Sequence, residues 1–333
     1  MIIIIKILML SVRPDEQAAI KAWQDRHPGV EVTTAAWELR ASTVDQTAGF
    51  DGLVIQQRYN IEAEVYPKLK ALGFKQISAR TAGFDVLDLN LAKQNNLVVT
   101  NVPAYSPRSV AELALVHTLR LTRNLELFDD RASRQDFRWA GLQAKEIHSL
   151  TIGIIGAGRI GGTAARLFHA LGAKVIANDL IENPELKDVL TYLPFEEVLK
   201  QADVVSLHVD LNESTHNLID EHALSLMKPT AFLVNECRGP VVDTDALINA
   251  LENKQLAGAA LDTLTGEENF FNFNLEGQAL PSQQLVKLRA MPNVVITPHV
   301  GFYTNIAVQN MVDISLDSAL AVLEGQKPTT QVN

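Results

Sequence analysis

Cysteine is almost absent: the 333 residues contain one, Cys237. One thiol excludes an intrachain disulfide and a thiolate-rich metal centre, and it fits a reducing compartment, so the cytoplasm is the expected location. Positive charge is scarce as well, with 29 Lys and Arg against 39 Asp and Glu and a net charge of −10. Nucleic acid or an anionic membrane would require a concentrated basic face, so neither is expected as a partner. The eight histidines include no ligand-spaced pair, so no zinc site and no metal are expected. A long apolar run is also missing. The opening MIIIIKILML is too short to span a bilayer, is interrupted by Lys6 and follows no basic region, so it reads as a buried first strand. Low-complexity tracts and short repeats are lacking too.

What is present is an alternation of strand-like and helix-like segments over a length that suits two domains. In the first series, VEVTT, GLVIQQ, KQISAR and LVVTNVP read as strands. DEQAAIKAWQDRHP reads as a helix, and EVYPKLKALG as a helix closing at Gly73. Strands alternating with helices imply a parallel sheet with right-handed crossovers. The pattern breaks at Pro103 and Pro107. One long helix is then expected over SVAELALVHTLRLTRNLELF, with Ser109 as N-cap and Glu112 at capping-box spacing. Its apolar residues occupy more than one face, so it is either internal or covered by a second copy of the chain, and a homodimer through this domain is expected.

From Leu150 a second series begins, with six strands in LTIGIIGAG, KVIANDL, VVSLHV, AFLVNEC, LAGAALDT and VVITPHV. The last segment, NIAVQNMVDISLDSALAVLEG, reads as an amphipathic helix returning to the first domain. The expected fold class is therefore α/β, two doubly wound parallel-sheet domains, one inserted in the other. Residues 1–104 and 301–333 would form the substrate domain, and 105–300 the nucleotide domain.

Residues 152–161 read IGIIGAGRIG, which puts Gly156, Gly158 and Gly161 in a G-x-G-x-x-G pattern between a strand and a helix. The first glycine permits a tight turn, the second lets backbone approach a pyrophosphate, and the third lets helix and strand pack closely. The helix N-terminus offers free N–H groups to phosphate. The next strand ends in Asp179, where a carboxylate can accept both ribose hydroxyls and repel a 2′-phosphate. No arginine follows in DLIENPE, so NAD is expected over NADP. Three later loops put Arg238, Glu267 and His299 after the C-terminal ends of apolar strands, where ligands of such sheets bind. Reduction of a 2-keto acid needs a cation to grip the carboxylate and polarise the ketone, a proton donor near neutral pH, and a carboxylate to hold that donor protonated. Arginine, histidine and glutamate supply these functions. Taken singly, each could instead be an ordinary ion pair, loop or packing residue.

Together with NVPAYSP, GRIG, MKPTAFLVNECRGPVVDTDAL, LAGAALDT and MPNVVITPH, these residues make the chain resemble the D-isomer-specific 2-hydroxyacid dehydrogenases, in the branch of the D-lactate and D-2-hydroxyisocaproate enzymes. The resemblance covers essentially the whole chain after the first few residues. It implies a Rossmann NAD-binding domain inserted into a flavodoxin-like catalytic domain, and a small 2-keto or 2-hydroxy acid as substrate. It also implies that Arg238 binds the substrate carboxylate and keto oxygen, His299 donates the proton, Glu267 pairs with His299, and Asp262 sits near the nicotinamide. Backbone at Ala82 and Gly83 would cap the carboxylate, with Tyr105 assisting. Arg159 and Ile160 would face the pyrophosphate, and Val209, Thr215, Glu236 and Cys237 would line the cofactor. Phe302 and Tyr303 would shape the substrate pocket or simply pack.

The chain departs from the family pattern at three places. The usual HVP is HVD, with Asp210, and the usual RNVG is RTAG, which keeps its glycine. Gln56 stands where lactate-specific members tend to carry an aromatic residue, which implies a pocket open to 2-keto acids larger than pyruvate, unless Gln56 points to solvent. The rival reading is a non-catalytic NAD-sensing protein of the same fold.

Overall fold

The computed structural model describes residues 4–333. They fall into two compact units, one of residues up to Ser106 with Tyr303–Asn333, the other Pro107–Phe302.

In the first unit, strands β1 (Ile5–Met9), β2 (Val30–Thr34), β3 (Gly52–Ile55), β4 (Gln76–Ala79) and β5 (Val98–Thr100) alternate with helices α1 (Gln17–Arg26), α2 (Val65–Ala71) and α3 (Leu89–Gln94). The sheet is parallel throughout, in the order β2-β1-β3-β4-β5, the flavodoxin-like winding. β3 and β4 are buried along their whole length, so they carry apolar runs and not an alternating pattern. α3 was not legible as a helix; it is a single short turn-and-a-half whose start is marked by Asp88, which accepts from Asn90 N and Leu91 N.

The second unit opens with α4 (Pro107–Thr122) and α5 (Leu125–Ser133). The single long helix expected here is therefore two helices. Asn124 adopts a left-handed backbone, φ 54°, which ends the first helix and turns the chain. α4 also starts two residues before Ser109. Ser109 is not its cap; its hydroxyl donates to the Gly301 carbonyl at 2.6 Å, and Glu112 instead pairs with Arg108 across one turn.

The chain continues through β6 (Thr151–Ile155), α6 (Arg159–Ala170), β7 (Lys174–Asn178), β8 (Thr191–Tyr192), α7 (Phe195–Gln201), β9 (Val204–Leu207), α8 (Glu221–Leu226), β10 (Phe232–Asn235), α9 (Thr244–Glu252), β11 (Gly258–Leu261), α10 (Gln283–Ala290) and β12 (Val294–Ile296). The order β12-β11-β10-β9-β6-β7-β8 is the Rossmann order with one strand added. All pairings are parallel. The seventh strand, β8, has two residues, too few to carry a period. Two apolar clusters fill this unit. One gathers Leu207, Leu233, Leu247 and Leu288, the other Ile152, Ile154, Phe168 and Val234.

The last helix, α11 (Asn305–Leu323), belongs to the first unit and packs on β3, β4 and α1. It is long and apolar enough to cross a membrane, but Val312, Leu316 and Ala319 sit in the core with Ile7, Trp23 and Val54. Trp23 Nε1 donates to Asp317 at 2.7 Å, which fixes its register against α1.

Candidate active site

β6 and β9 end in register, Ile155 opposite Leu207, so Gly156 and His208 emerge side by side. Gly156 has φ +89°, and a Cβ there would stand 2.7 Å from the His208 carbonyl oxygen. A Cβ on Gly161 would come within 1.9 Å of the Gly156 carbonyl oxygen. Both positions thus exclude any side chain. Gly158 differs, because nothing lies within 4 Å of where its Cβ would be. Open space there, at the N-terminus of α6 where Arg159 is exposed and Ile160 half-buried, is what a pyrophosphate requires.

Asp179 follows β7. Its Oδ2 accepts from Ala157 N at 2.6 Å and its Oδ1 from Ile181 N at 3.1 Å, so the carboxylate is tied to the glycine turn. Each oxygen keeps a further lone pair for a ribose hydroxyl. These groups fit a dinucleotide. Beyond β9, Thr215 Oγ1 donates to the Asp210 carbonyl at 2.6 Å and accepts from Asn212 N at 2.8 Å, which closes the loop. Val209 is half-buried beside Gly156, and Asp210 is exposed.

Arg238, Glu267 and His299 follow the adjacent strands β10, β11 and β12. Arg238 has extended backbone, and its Nη1 donates to the Cys237 carbonyl at 2.8 Å. Asn235 braces this turn by donating to the Arg238 carbonyl and accepting from Cys237 N. Gly239 presses directly on the Leu264–Thr265 backbone, where a Cβ would meet Leu264 C at 2.1 Å. The arginine turn therefore sits against the loop that carries Glu267.

Glu267 Oε1 lies 2.5 Å from His299 Nδ1. Its other oxygen accepts from Leu264 N at 2.8 Å, which orients the carboxylate. With Nδ1 engaged, Nε2 is the nitrogen that can exchange a proton with a ligand. His299 itself has φ +55°, rare for a residue with a Cβ. Asp262 holds this turn: Val300 N donates to Oδ1 at 2.9 Å and Gly301 N to Oδ2 at 2.8 Å. Phe302 sets its ring edge-on to the His299 ring, 6.4 Å between centroids. Cys237 is buried, and burial pushes its thiol up to about 11, which disfavours the thiolate that a nucleophile needs.

The first unit holds the other expected substrate residues. Ala82 and Gly83 lie on a loop braced by Asn101, which donates to the Ala82 carbonyl at 2.7 Å, and by Thr81, which donates to the Gly83 carbonyl at 2.6 Å. Tyr105 is half-buried, and its carbonyl accepts from Asn310. Gln56 is half-buried too. Its Oε1 accepts from Arg13 at 2.8 Å and from Arg80 at 3.1 Å, so its side-chain oxygen is held by guanidinium groups and not given to solvent. Arg80 is itself fully buried against Glu16, 2.8 Å away. Sequence reasoning missed this network. Glu16, Gln56 and Arg80 are dispersed along the chain, and no motif links them.

One pair was also missed in the second unit. His117 on α4 and Glu236 after β10 are buried together, Nδ1 to Oε1 2.6 Å.

The D-isomer specific 2-hydroxyacid dehydrogenase NAD-binding domain model matches residues 115–301. A D-lactate dehydrogenase of Lactiplantibacillus plantarum is 41% identical over 328 residues, covering 98% of this chain and 99% of that protein. Among solved structures, a D-lactate dehydrogenase from a Sporolactobacillus species is 62% identical with a TM-score of 0.86, covering 99% of both chains. The NAD-complexed D-isomer specific 2-hydroxyacid dehydrogenase of Lactobacillus delbrueckii ssp. bulgaricus is 42% identical with a TM-score of 0.87, covering 98% of this chain and all of that one.

Proposed function

Because the chain belongs to the D-isomer specific 2-hydroxyacid dehydrogenases, we propose that Arg238, Glu267 and His299 are the residues that carry its reaction. The chain is an NAD-dependent D-2-hydroxyacid dehydrogenase of the D-lactate type. The observation that carries the assignment of roles is the 2.5 Å contact between His299 Nδ1 and Glu267, in the same unit as the glycine turn and Asp179.

NADH, when bound, supplies the hydride that adds to the keto carbon. Gly156, Gly158 and Gly161 with Arg159 and Ile160 hold its pyrophosphate, and Asp179 accepts its ribose hydroxyls. Val209, Thr215, Glu236, Cys237 and Asp262 line the rest of the cofactor. Arg238 grips the substrate carboxylate and polarises the ketone through its fork of N–H donors. Ala82 and Gly83 cap the carboxylate through backbone N–H, and Tyr105 assists. Protonated His299 gives its Nε2 proton to the keto oxygen, so the carbonyl becomes the D-hydroxyl, while Glu267 stabilises the imidazolium before transfer. In the oxidising direction neutral His299 takes the proton back. Gln56 and Phe302 shape the space for the substrate side chain, and the absence of an aromatic ring at position 56 favours acids larger than pyruvate.

The test is NADH oxidation by the purified protein with pyruvate, 2-ketoisocaproate, phenylpyruvate and 2-oxoglutarate. Turnover with at least one of them supports the reading, and the ranking reports on Gln56. NADH binding without turnover on any acid overturns it in favour of NAD sensing.

The chain is proposed to work in the cytoplasm as a homodimer through the cofactor domain. The support for the dimer is apolar surface on that domain: Phe137 and Trp139 are 78% and 81% exposed, with Val116 and Leu125 also exposed. Sedimentation of a dimer that Trp139→Glu weakens is the expected outcome; a monomer at all concentrations overturns it.

A further inference from the structure

His117 has no role in the reaction just described, Glu236 enters it only as part of the cofactor lining, and both side chains are enclosed at 0% exposure. Burying two ionisable groups is costly unless they are paired and hydrogen-bonded. Their place in the sheet suggests a use. The register Asn235–Leu261–Ile296 across β10, β11 and β12 puts the next residues, Glu236, Asp262 and Thr297, side by side at the C-terminal edge. α4 packs on the same three strands and brings in His117.

The hydrogen bonds then run in one direction. Thr297 Oγ1 is 2.5 Å from Asp262 Oδ1. A carboxylate only accepts, so the Thr297 hydroxyl is spent as donor there and can only accept from His117 Nε2, 3.3 Å away. His117 Nε2 therefore carries a hydrogen. One proton remains for the 2.6 Å line between His117 Nδ1 and Glu236 Oε1, on the ring or on the carboxyl, and the pair is neutral overall in either case. Burial raises Glu236 to about 7, against the lowering effect of His117, which suits such sharing. The other carboxyl oxygen, Glu236 Oε2, is buried without a hydrogen-bond partner. The titratable groups around it are His117 from α4, Asp262 after β11 and His299 after β12.

Asp262 in turn receives Val300 N and Gly301 N, and so fixes the strained turn at His299. We infer that His117 and Glu236 are a positioning pair for the reaction: through Thr297 they set where Asp262 sits, and Asp262 sets the turn that presents His299. Glu236 also stands two residues before Arg238, so the same chain of contacts links the carboxylate-binding turn to the proton-donor turn. This inference rests on the dehydrogenase reading. Wild-type turnover tests that reading, and the ratio of variant to wild type tests the pair.

The experiment compares His117→Leu, His117→Gln, Thr297→Val and the double variant His117→Leu/Thr297→Val, with kcat and both KM values measured alongside thermal melting. Losing one link should lower kcat about five- to tenfold, the worth of one net hydrogen bond. KM for NADH should change less than kcat, since the glycine turn and Asp179 are untouched and only the lining at Asp262 shifts. Because His117 and Thr297 act along one path, the double variant should lose no more than either single one. His117→Gln, whose amide can still donate to Thr297 and accept from Glu236, should recover kcat to within about threefold. Thr297→Val is nearly isosteric and decides the matter if His117→Leu does not fold. Wild-type kcat in a folded His117→Leu or Thr297→Val protein overturns the inference, as do losses that multiply in the double variant. A fall in melting temperature with kcat intact marks the pair as structural only and overturns it equally.

Discussion

Glu267→Gln isolates the charge beside His299 while keeping an oxygen within reach of Nδ1. The wild-type contact is 2.5 Å, with side chains 38% and 23% exposed for His299 and Glu267. Opposite unit charges at about 4 Å interact by about 1 kcal/mol in water and about 4 kcal/mol near a protein surface. Partial exposure moves this pair toward the lower figure through screening and side-chain freedom. About 1.5 kcal/mol of stabilisation is then lost from the protonated imidazole when the carboxylate becomes an amide. Reduction draws its proton from that imidazole, so kcat should fall about tenfold, the equivalent of about 1.4 kcal/mol. The assay is NADH oxidation with the 2-keto acid varied, so that kcat and KM are separated. An unchanged kcat, with only KM altered, would refute the claim that Glu267 acts through the charge of His299.

Three other outcomes follow from the geometry. Asp179→Ala removes a carboxylate tied to the glycine turn by Ala157 N and should raise KM for NADH about tenfold, the worth of a charge-assisted hydrogen bond, with kcat little changed; a larger effect on kcat than on KM would count against its ribose role. Gly161→Ala puts a Cβ 1.9 Å from the Gly156 carbonyl oxygen and should destabilise the fold by about 3 kcal/mol, read as a shift in urea midpoint; an unchanged midpoint would mean the turn is not as tight as described. Burial raises Glu236 from 4.5 to about 7, so the folded state holds this proton more tightly than the unfolded chain does. The stability it contributes is complete below about pH 4.5 and is lost as pH rises through about 7. Glu236→Gln should therefore gain melting temperature relative to wild type as pH increases over that window, and parallel curves would contradict the direction.

Much of this architecture is legible in the sequence because its signals are local. Fully buried parallel strands appear as short apolar runs, and the three glycines with Asp179 fall at fixed spacing within one strand–helix–strand unit. Arg238, Glu267 and His299 are visible for the same reason, each placed by the strand that precedes it. What is hidden depends on distance along the chain or on one backbone angle. β8 has two residues and carries no period. The break after α4 turns on the left-handed Asn124 inside an otherwise continuous helical pattern. Ser109 resembles a cap by type and spacing, yet its hydroxyl serves Gly301, 192 residues away. His117 and Glu236 are 119 residues apart, and a histidine on an apolar helix gives no sign of its partner until sheet register brings β10, β11 and β12 abreast under α4. The Gln56 contacts with Arg13 and Arg80 are concealed in the same way.

The most direct test of the account replaces His299 with alanine. Turnover of the best 2-keto acid, the chirality of the wild-type product, and NADH binding by fluorescence are measured together. The wild type should yield a D-hydroxy acid, and the variant should lose about a hundredfold or more in kcat with NADH affinity preserved. An L-product, or a variant within a few-fold of wild-type turnover, would contradict it.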